Sequence, residues 1–182
     1  MSESMDYMFN RNPPKSCKNM QTLECDVKTA MLYNEIWHSR LPKTNRFNLS
    51  GKNSLFFAAV FELNIFAVAM WTTPVAANRM TNGFQMLELR RLAIAPDAPK
   101  YTATWMLGKM IKNIHKQLPD IIKLVSYQDT EVHTGTIYAA GNWKLETTSK
   151  YIAWDTSKRI RNAKVQSTAD KNRWVYELSV QN

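Results

Sequence analysis

The sequence predicts an α/β domain in which helices cover both faces of a mixed, mostly antiparallel sheet. The main observation is the order of its predicted elements, which runs helix, strand, strand, strand, helix, strand, helix, strand, strand. A second observation is a pair of β-rich runs separated by a short polar step, and a third is one long amphipathic helix near the middle of the chain. With 182 residues, 45% of them hydrophobic, the chain is long enough for one core and too short to suggest two full domains.

The first half of the chain supplies a helix and two strands. Residues 1–20 are polar, contain two adjacent prolines and few large aliphatic side chains, so we expect a flexible arm there and a single domain over residues 21–182. Apolar residues recur at helical spacing across 25–38, with Pro42 just beyond. The runs 54–62 and 65–73 are rich in Phe, Val and Ile, and the step at Glu62-Leu63-Asn64 suits a hairpin turn.

The second half begins with a third strand over 86–95, which alternates apolar and polar residues with one slip near its two arginines. The run 102–118 places Trp105, Met106, Met110, Ile111 and Ile114 on one helical face, and Pro119 ends this central helix. A short strand at 121–126, a short helix at 134–142 and two strands at 144–154 and 173–180 complete the prediction.

Composition narrows the class of protein. No apolar run approaches the roughly 20 residues needed to span a bilayer, and the first residues do not resemble a secretory signal, so we expect a cytoplasmic protein with no membrane partner. Two cysteines without ligand spacing suggest reduced thiols and no zinc module. The net charge of +9 favours a polyanionic partner such as nucleic acid, although many basic proteins use such charge only for solubility.

Two segments carry a resemblance to a known family. The first is the run ELRRLAIAPDAPK from Glu88 to Lys100. The second is Ser126-Tyr127-Gln128-Asp129, which is followed by His133-Thr134-Gly135-Thr136-Ile137-Tyr138 and then by Ala140, Asn142 and Trp143. Together they resemble the signature of the Mom family of phage DNA-modifying proteins, and Trp37-His38-Ser39-Arg40-Leu41-Pro42 stands where that family often has a further polar cluster. The resemblance covers about residues 30–155.

The resemblance implies a GNAT-like fold, in which reactants meet where two neighbouring strands splay apart. Here those strands are the third and the fourth, with the central helix beginning beside the gap. It further implies an enzyme that transfers an acetamido (carbamoylmethyl) or related group to the exocyclic N6 of adenine in double-stranded DNA. Such a modification protects phage DNA from restriction in the cytoplasm of a bacterial host. The loop between Asp129 and His133 is about one residue shorter than is usual in the family.

Five residues are candidates for the chemistry. With the resemblance, Asp129 is the expected group that orients or deprotonates an amine, and Tyr138 is the expected proton donor. Ser126, His38 and His133 lie in the matched motifs and are further candidates. From residue type alone, Asp129 could equally cap a helix, Tyr138 could be half-buried packing, and each histidine could be structural. No spacing of histidines and carboxylates indicates a metal.

The cofactor is expected to be a small-molecule donor of unknown identity. A glycine-rich loop would cradle the pyrophosphate of coenzyme A at the start of the central helix, but the segment from Pro96 to Ala103 contains no glycine, so acetyl-CoA is not favoured. Lys100, Thr102 and Arg91 are the candidate donor contacts, although Thr102 could simply cap the helix and Lys100 could face water. Strand alternation predicts that Arg90 and Arg91 face opposite sides of the sheet.

The candidate nucleic-acid contacts are basic residues, which could neutralise phosphates: Arg40, Lys158, Arg159, Arg161 and Lys164. Their tract also contains Trp154 and Trp174, whose rings could stack on a displaced base or belong to the core. Two other functions stay open. One is an acetyl-CoA-dependent N-acyltransferase, and the other is a non-catalytic GNAT-like module that binds nucleic acid.

Overall fold

A computed structural model of the chain describes residues 11–38, 49, 53–74, 85–150 and 169–178. The strands are β1 (Gln21–Glu24), β2 (Ser54–Phe61), β3 (Asn64–Thr72), β4 (Met86–Ile94), β5 (Lys123–Asp129), β6 (Lys144–Ser149) and β7 (Lys171–Glu177). The helices are α1 (Val27–Trp37), α2 (Thr102–Gln117) and the single turn α3 (Thr136–Ala139), and a short 3-10 turn spans Cys17–Asn19.

All seven described strands form one sheet in the order β1-β2-β3-β4-β5-β7-β6. Among them, β4 and β5 pair in parallel and every other neighbouring pair is antiparallel. A parallel pair needs a crossover connection, and α2 supplies it between β4 and β5. The predicted mixed, mostly antiparallel α/β sheet is therefore confirmed.

Helices cover both faces of this sheet, and the strand β3 near its centre is apolar on both sides. On one face, Met106, Met110 and Ile114 of α2 pack with Trp71 and Leu87 in the main core. On the other face, alternate residues of the same strands form two smaller clusters with α1: Met70 lies in the cluster of Ala30, and Val68 lies in a cluster that Trp37 packs against. Burial on both faces accounts for the nearly continuous apolar sequence of β3, which is buried from Phe66 to Thr72.

Local signals explain where the early elements begin and turn. The carboxylate of Asp26 accepts hydrogen bonds from the backbone N–H groups of Lys28, at 2.8 Å, and Thr29, at 2.9 Å, and so caps α1. The predicted hairpin is confirmed, with Glu62 and Leu63 as a two-residue turn between β2 and β3. Both residues have positive φ, 45° and 64°, as the twist of a tight hairpin requires.

The segment before α1 differs from the expected flexible arm. Of residues 1–20 the structure describes 11–20, and in this part Cys17 and Met20 are buried in the main core. Arg11 forms a two-pronged ion pair with Asp97, with N–O distances of 2.7 and 2.9 Å. This part of the predicted arm therefore belongs to the folded domain, and it leads into β1, an edge strand that the sequence did not predict because its residues are mostly exposed.

In the second half of the chain, several helices and strands have boundaries that differ from the predicted ones. The predicted strand 121–126 begins two residues later and ends three residues later, at Lys123–Asp129, where it is paired along its whole length with β7. The short helix predicted over 134–142 is reduced to one turn that begins after Gly135, whose φ is 77°. None of the described helices combines the length and apolar character needed to cross a bilayer.

Candidate active site

The sheet opens between β4 and β5. The two strands pair from Met86 and Lys123 up to Leu89 and Ser126, and beyond that point each continues without a partner in the other. Just past the last pair, β4 contains a bulge, because Leu89 faces Trp71 and Arg91 faces Met70, which leaves Arg90 as the extra residue. The predicted slip near the arginines and the predicted splay of the third and fourth strands are both confirmed.

A buried pair of hydroxyl groups lies at the apex of this opening. Ser126, on the last paired position of β5, and Tyr138, in α3, place their oxygen atoms 2.9 Å apart. The two residues are only 2% and 4% exposed. Burial raises the pKa of the Tyr138 phenol, and the hydrogen bond with Ser126 only partly opposes that shift. Tyr138 therefore carries its proton at neutral pH, as a proton donor must.

Aromatic rings fix the position of the Tyr138 side chain. Trp174 of β7 stacks on it at a centroid distance of 5.5 Å, Trp143 contacts it edge-on at 5.6 Å, and His133 lies at 6.1 Å. The sequence left two alternatives for Trp174, stacking on a displaced base or packing in the core, and the structure places its ring in the packing around Tyr138. The other candidate base-stacking residue, Trp154, lies outside the described residues.

Gln128 connects this packing to the loop that follows β5, and the sequence did not single it out. Its side chain is buried, and its oxygen accepts hydrogen bonds from the indole of Trp174, at 2.7 Å, and from the amide of Asn172, at 3.2 Å. Its amide nitrogen donates to the backbone carbonyl of His133. One buried amide thus joins β5, β7 and the loop that carries His133 and leads into α3. The only available sequence signal was its position inside the matched motif.

Gly135 is required by the same packing. A Cβ atom at this position would lie 2.5 Å from the side-chain oxygen of Gln128 and 2.8 Å from a ring carbon of Trp174. Its φ of 77° also lies in the left-handed region that favours glycine. The side chains of Gln128 and Trp174 therefore occupy the space that a side chain at this position would need.

We predict that Gly135→Ala lowers the free energy of unfolding by roughly 2–5 kcal/mol, the sum of a left-handed backbone penalty and an overpacking penalty. Urea denaturation measures the change. Gly108→Ala in α2 is the matched control, because a Cβ atom added there would meet no atom of the described residues within 4 Å, and an exposed helical alanine stabilises by about 0.5–1 kcal/mol. Equal stabilities of the two variants would contradict this account of Gly135.

Asp129 and His133 flank the opening at the end of β5. One carboxylate oxygen of Asp129 accepts a hydrogen bond from the backbone N–H of Glu131 at 3.0 Å, which stabilises the turn after the strand. Alternation along β5 places Asp129 on the face opposite to Ser126 and Gln128. Nδ1 of His133 accepts a bond from the Gly135 N–H at 3.3 Å. Desolvation lowers the pKa of His133, while the charge of Asp129 acts in the opposite direction.

His38 approaches the same region from the end of α1. Burial is the main cause that lowers its pKa, and the positive charges of Arg91 and His133 lower it further. The three residues are therefore close enough to influence one another, and His38 is a neutral imidazole at neutral pH. The fold thus brings Tyr138 into contact with Ser126 and His133, and it places His38 close to His133 and Arg91.

We predict that the lowered pKa of His38 makes folding less favourable in mild acid. In the unfolded chain the imidazole titrates near its ordinary value of 6.5, so as pH falls below that value the unfolded state takes up protons before the folded state does. The free energy of unfolding should fall between pH 7 and pH 5 and should fall less in His38→Gln. Urea denaturation at both pH values measures this, with His115→Gln as the control; an identical pH dependence in all three proteins would refute it.

The start of α2 holds the other candidate donor contacts. Thr102 is 2% exposed and donates its hydroxyl to the carbonyl of Pro99 at 2.7 Å, which argues against the predicted cofactor contact. It does not cap the helix either, because Tyr101, with a φ of 68°, occupies the capping position. Lys100 is exposed and lines an open groove of about 620 Å³ together with Lys15, Lys18 and Trp105.

The candidate nucleic-acid contacts Arg40, Lys158, Arg159, Arg161 and Lys164 lie outside the described residues. Within the described part of the chain, no group of three or more His, Cys, Asp or Glu side chains is placed to hold a metal ion. Of the basic residues near that tract, Arg173 is described, and it forms an ion pair with Glu146 on the neighbouring strand β6.

Comparison with known proteins gives one family and one fold. The model of the Mom protein family matches residues 56–181. No curated protein matches the sequence. Among solved structures, a probable acetyltransferase from Staphylococcus epidermidis ATCC 12228 superimposes with a TM-score of 0.63 at 11% identity, covering 88% of this chain and 99% of that one. The ribosomal-protein-S18-alanine N-acetyltransferase from Escherichia coli gives 0.59 at 12% identity, with 90% and 96% covered.

A third solved structure, a GNAT family acetyltransferase from Elizabethkingia anophelis with acetyl-CoA bound, has a TM-score of 0.53 and 14% identity over 88% of this chain and 99% of that one. At such identities the likeness shows the fold alone. The predicted GNAT-like fold is confirmed.

Proposed function

The chain belongs to the Mom protein family, and from that premise we propose that it is a transferase that modifies adenine in DNA. The group transferred is an acetamido (carbamoylmethyl) or related group, and the acceptor is the exocyclic N6. The observation that carries the proposal is the buried Ser126–Tyr138 hydroxyl pair, 2.9 Å apart at the apex of the opening between β4 and β5. A protonated phenol held at the point where the strands separate is suited to acid catalysis of group transfer.

The substrate imposes a physical requirement on this chemistry. The N6 amino group of adenine takes part in base pairing, so the enzyme must take the base out of the duplex before it reacts. The net charge of +9 favours binding to double-stranded DNA, and we assign the backbone contacts to Arg40, Lys158, Arg159, Arg161 and Lys164. The setting we propose is a phage protein that acts in the cytoplasm of a bacterial host and shields phage DNA from restriction.

The reaction forms one N–C bond and breaks the bond between the transferred carbon and its leaving group. Asp129 orients the amine or takes the N6 proton, and the neutral imidazole of His38 is a further acceptor in the same region. Nδ1 of His133 already accepts a hydrogen bond from the Gly135 N–H, so His133 would take a proton only by giving up that bond. Tyr138 delivers its proton to the leaving group, and Ser126 holds the phenol in place. Arg91 neutralises negative charge on the donor.

Acetyl-CoA fits the residues at the start of α2 poorly. The segment before the helix contains Pro96 and Pro99, which have no N–H to offer a pyrophosphate. The N–H of Thr102 already bonds to the Pro99 carbonyl at 3.3 Å, and Asp97 adds a negative charge, which Arg11 neutralises. We therefore route no step through coenzyme A and propose a different small-molecule donor.

Mass spectrometry of nucleosides tests the proposal. DNA from cells that express the protein should contain a deoxyadenosine heavier than the parent nucleoside, and DNA from cells with an empty vector should not. The alternative of an acetyl-CoA-dependent N-acyltransferase, which the fold keeps open, predicts unmodified DNA and protection of the protein by coenzyme A against heat. A non-catalytic DNA-binding module predicts neither. Unchanged nucleosides alongside soluble expression would overturn the proposed function.

A further inference from the structure

The bulge in β4 places both arginines on the same side of the sheet, contrary to the alternation that the sequence predicts. Arg91 faces Met70, which packs against Ala30 of α1, so the Arg91 side chain lies on the α1 face. Nε of Arg90 lies 3.4 Å from a carboxylate oxygen of Glu88, which faces Thr72 on that face. The extra residue of a bulge interrupts the two-residue alternation, and this explains the difference.

These arginines are incompletely satisfied. Nη1 of Arg90 and Nε of Arg91 are buried and have no hydrogen-bond partner among the described residues. Arg91 donates from Nη1 to the backbone carbonyl of Arg90 at 2.6 Å. Guanidinium groups stay charged at physiological pH, and a buried donor without a partner is costly. Such donors beside the opening indicate that a ligand group completes their hydrogen bonds.

The charges of Arg90, Arg91 and Glu88 indicate the charge of a ligand that would fit between them. Among the described residues, two guanidinium groups and the carboxylate of Glu88, whose side chain is 11% exposed, leave one net positive charge. Neighbouring His38 does not add another, because burial and Arg91 lower its pKa. Burial also lowers the pKa of Arg91, and the charge of Arg90 contributes to the same shift. A single negative charge with planar oxygen geometry matches this arrangement, since a guanidinium binds a carboxylate through two parallel hydrogen bonds.

We infer that Arg90 and Arg91 form a binding site for the carboxylate of a small-molecule donor at the β4 bulge. The inference rests on the proposed function and deepens it, because it names the chemical class of the donor. A small anion fits better than a DNA phosphate, because the Arg90 side chain is only 16% exposed, which excludes a polymer backbone from its buried nitrogen. The site lies one residue beyond the last β4–β5 pair, on the α1 face of the opening, whereas the Ser126–Tyr138 pair lies on the α2 face of the same opening.

Thermal unfolding of the full chain with sodium acetate as the probe tests the site, with sodium chloride and sodium phosphate at equal ionic strength as reference salts. Acetate should raise the Tm in a saturable manner beyond chloride and phosphate. Arg90→Gln and Arg91→Gln should each weaken the apparent affinity for acetate about tenfold or more, as expected for loss of a charged hydrogen bond. Arg91→Lys should weaken it as well, because lysine keeps the charge and loses the planar fork. Arg173→Gln, which removes a surface ion pair on β7, should leave it unchanged.

Two results would overturn the inference: a Tm response to acetate no larger than that to chloride or phosphate, or an unchanged acetate response in both arginine variants. Arg90→Gln leaves the buried Glu88 carboxylate without its ion-pair partner and can be destabilised for that reason. If it is too unstable to assay, the acetate responses of Arg91→Gln and Arg91→Lys decide the test, and an unchanged response in both overturns the inference. The two claims fail in different measurements. Nucleoside mass spectrometry tests the proposed function without any acetate, and the Tm response to acetate tests the binding site whether or not DNA is modified.

Discussion

Tyr138→Phe is expected to lower the rate of DNA modification by about 10²–10⁴-fold, the usual contribution of a positioned general acid. The phenylalanine ring keeps the stacking on Trp174 and the edge contact with Trp143, so the variant should remain folded. Only the proton and the hydrogen bond with Ser126 are removed, which corresponds to about 1 kcal/mol of stability. Nucleoside mass spectrometry after a fixed expression time measures the first effect, and urea denaturation measures the second.

Tyr33→Phe is the matched control for this experiment. Tyr33 stacks on Trp37 within α1, and its hydroxyl has no role in the proposed chemistry. The control should modify DNA at the wild-type rate. A Tyr138→Phe protein that modifies DNA equally well would show that the phenol only packs, and acid catalysis would then have to be assigned elsewhere in the opening.

Asp129→Asn is expected to lower the rate of modification by about 10²–10⁴-fold as well, because an amide cannot take a proton from N6. The asparagine oxygen can still accept the bond from the Glu131 N–H, so the turn after β5 should be preserved. The free energy of unfolding should consequently change little. The same two measurements apply, and they separate the loss of proton chemistry from the loss of the turn.

Asp120→Asn, in the exposed turn before β5, is the control that removes a carboxylate outside the opening. It should leave modification unchanged. Should Asp129→Asn stay active while Asp129→Ala is destabilised, the residue would be a turn former, and proton transfer would fall to His38 or His133.

The residues around the opening support our proposal that the donor is not coenzyme A. The helix start, where a glycine-rich loop would bind a pyrophosphate, contains two prolines and a carboxylate paired with Arg11. The β4 strand, one residue beyond the last β4–β5 pair, instead supplies two arginines with unsatisfied donors. A helix start that binds a pyrophosphate poorly, together with a pair of arginines at the opening, is the arrangement that we expect in a transferase whose donor is a small carboxylate.

The sequence by itself determined most of the elements and the family. Hydrophobic periodicity places α1, α2 and the β2–β3 hairpin within a few residues of their observed bounds, because these elements bury apolar faces with a strong local repeat. The motif from Ser126 to Trp143 pointed to the family that the comparison shows. Segments with a weak hydrophobic pattern were harder to predict from the sequence. β1 has mostly exposed side chains, so its place depends on backbone pairing with β2, which no local pattern records.

Only the tertiary structure decided how the site is assembled. Ser126 and Tyr138 come from different elements, and their contact depends on the packing of Trp174 and Gln128 from β7 and β5. The shared direction of Arg90 and Arg91 depends on a bulge, which shifts alternation by one residue and is defined by pairing with β3. Side chains alternate between the two faces of a strand only while its pairing with the neighbouring strand is regular. A bulge interrupts that pairing, so the side-chain contacts next to it cannot be predicted from the sequence alone.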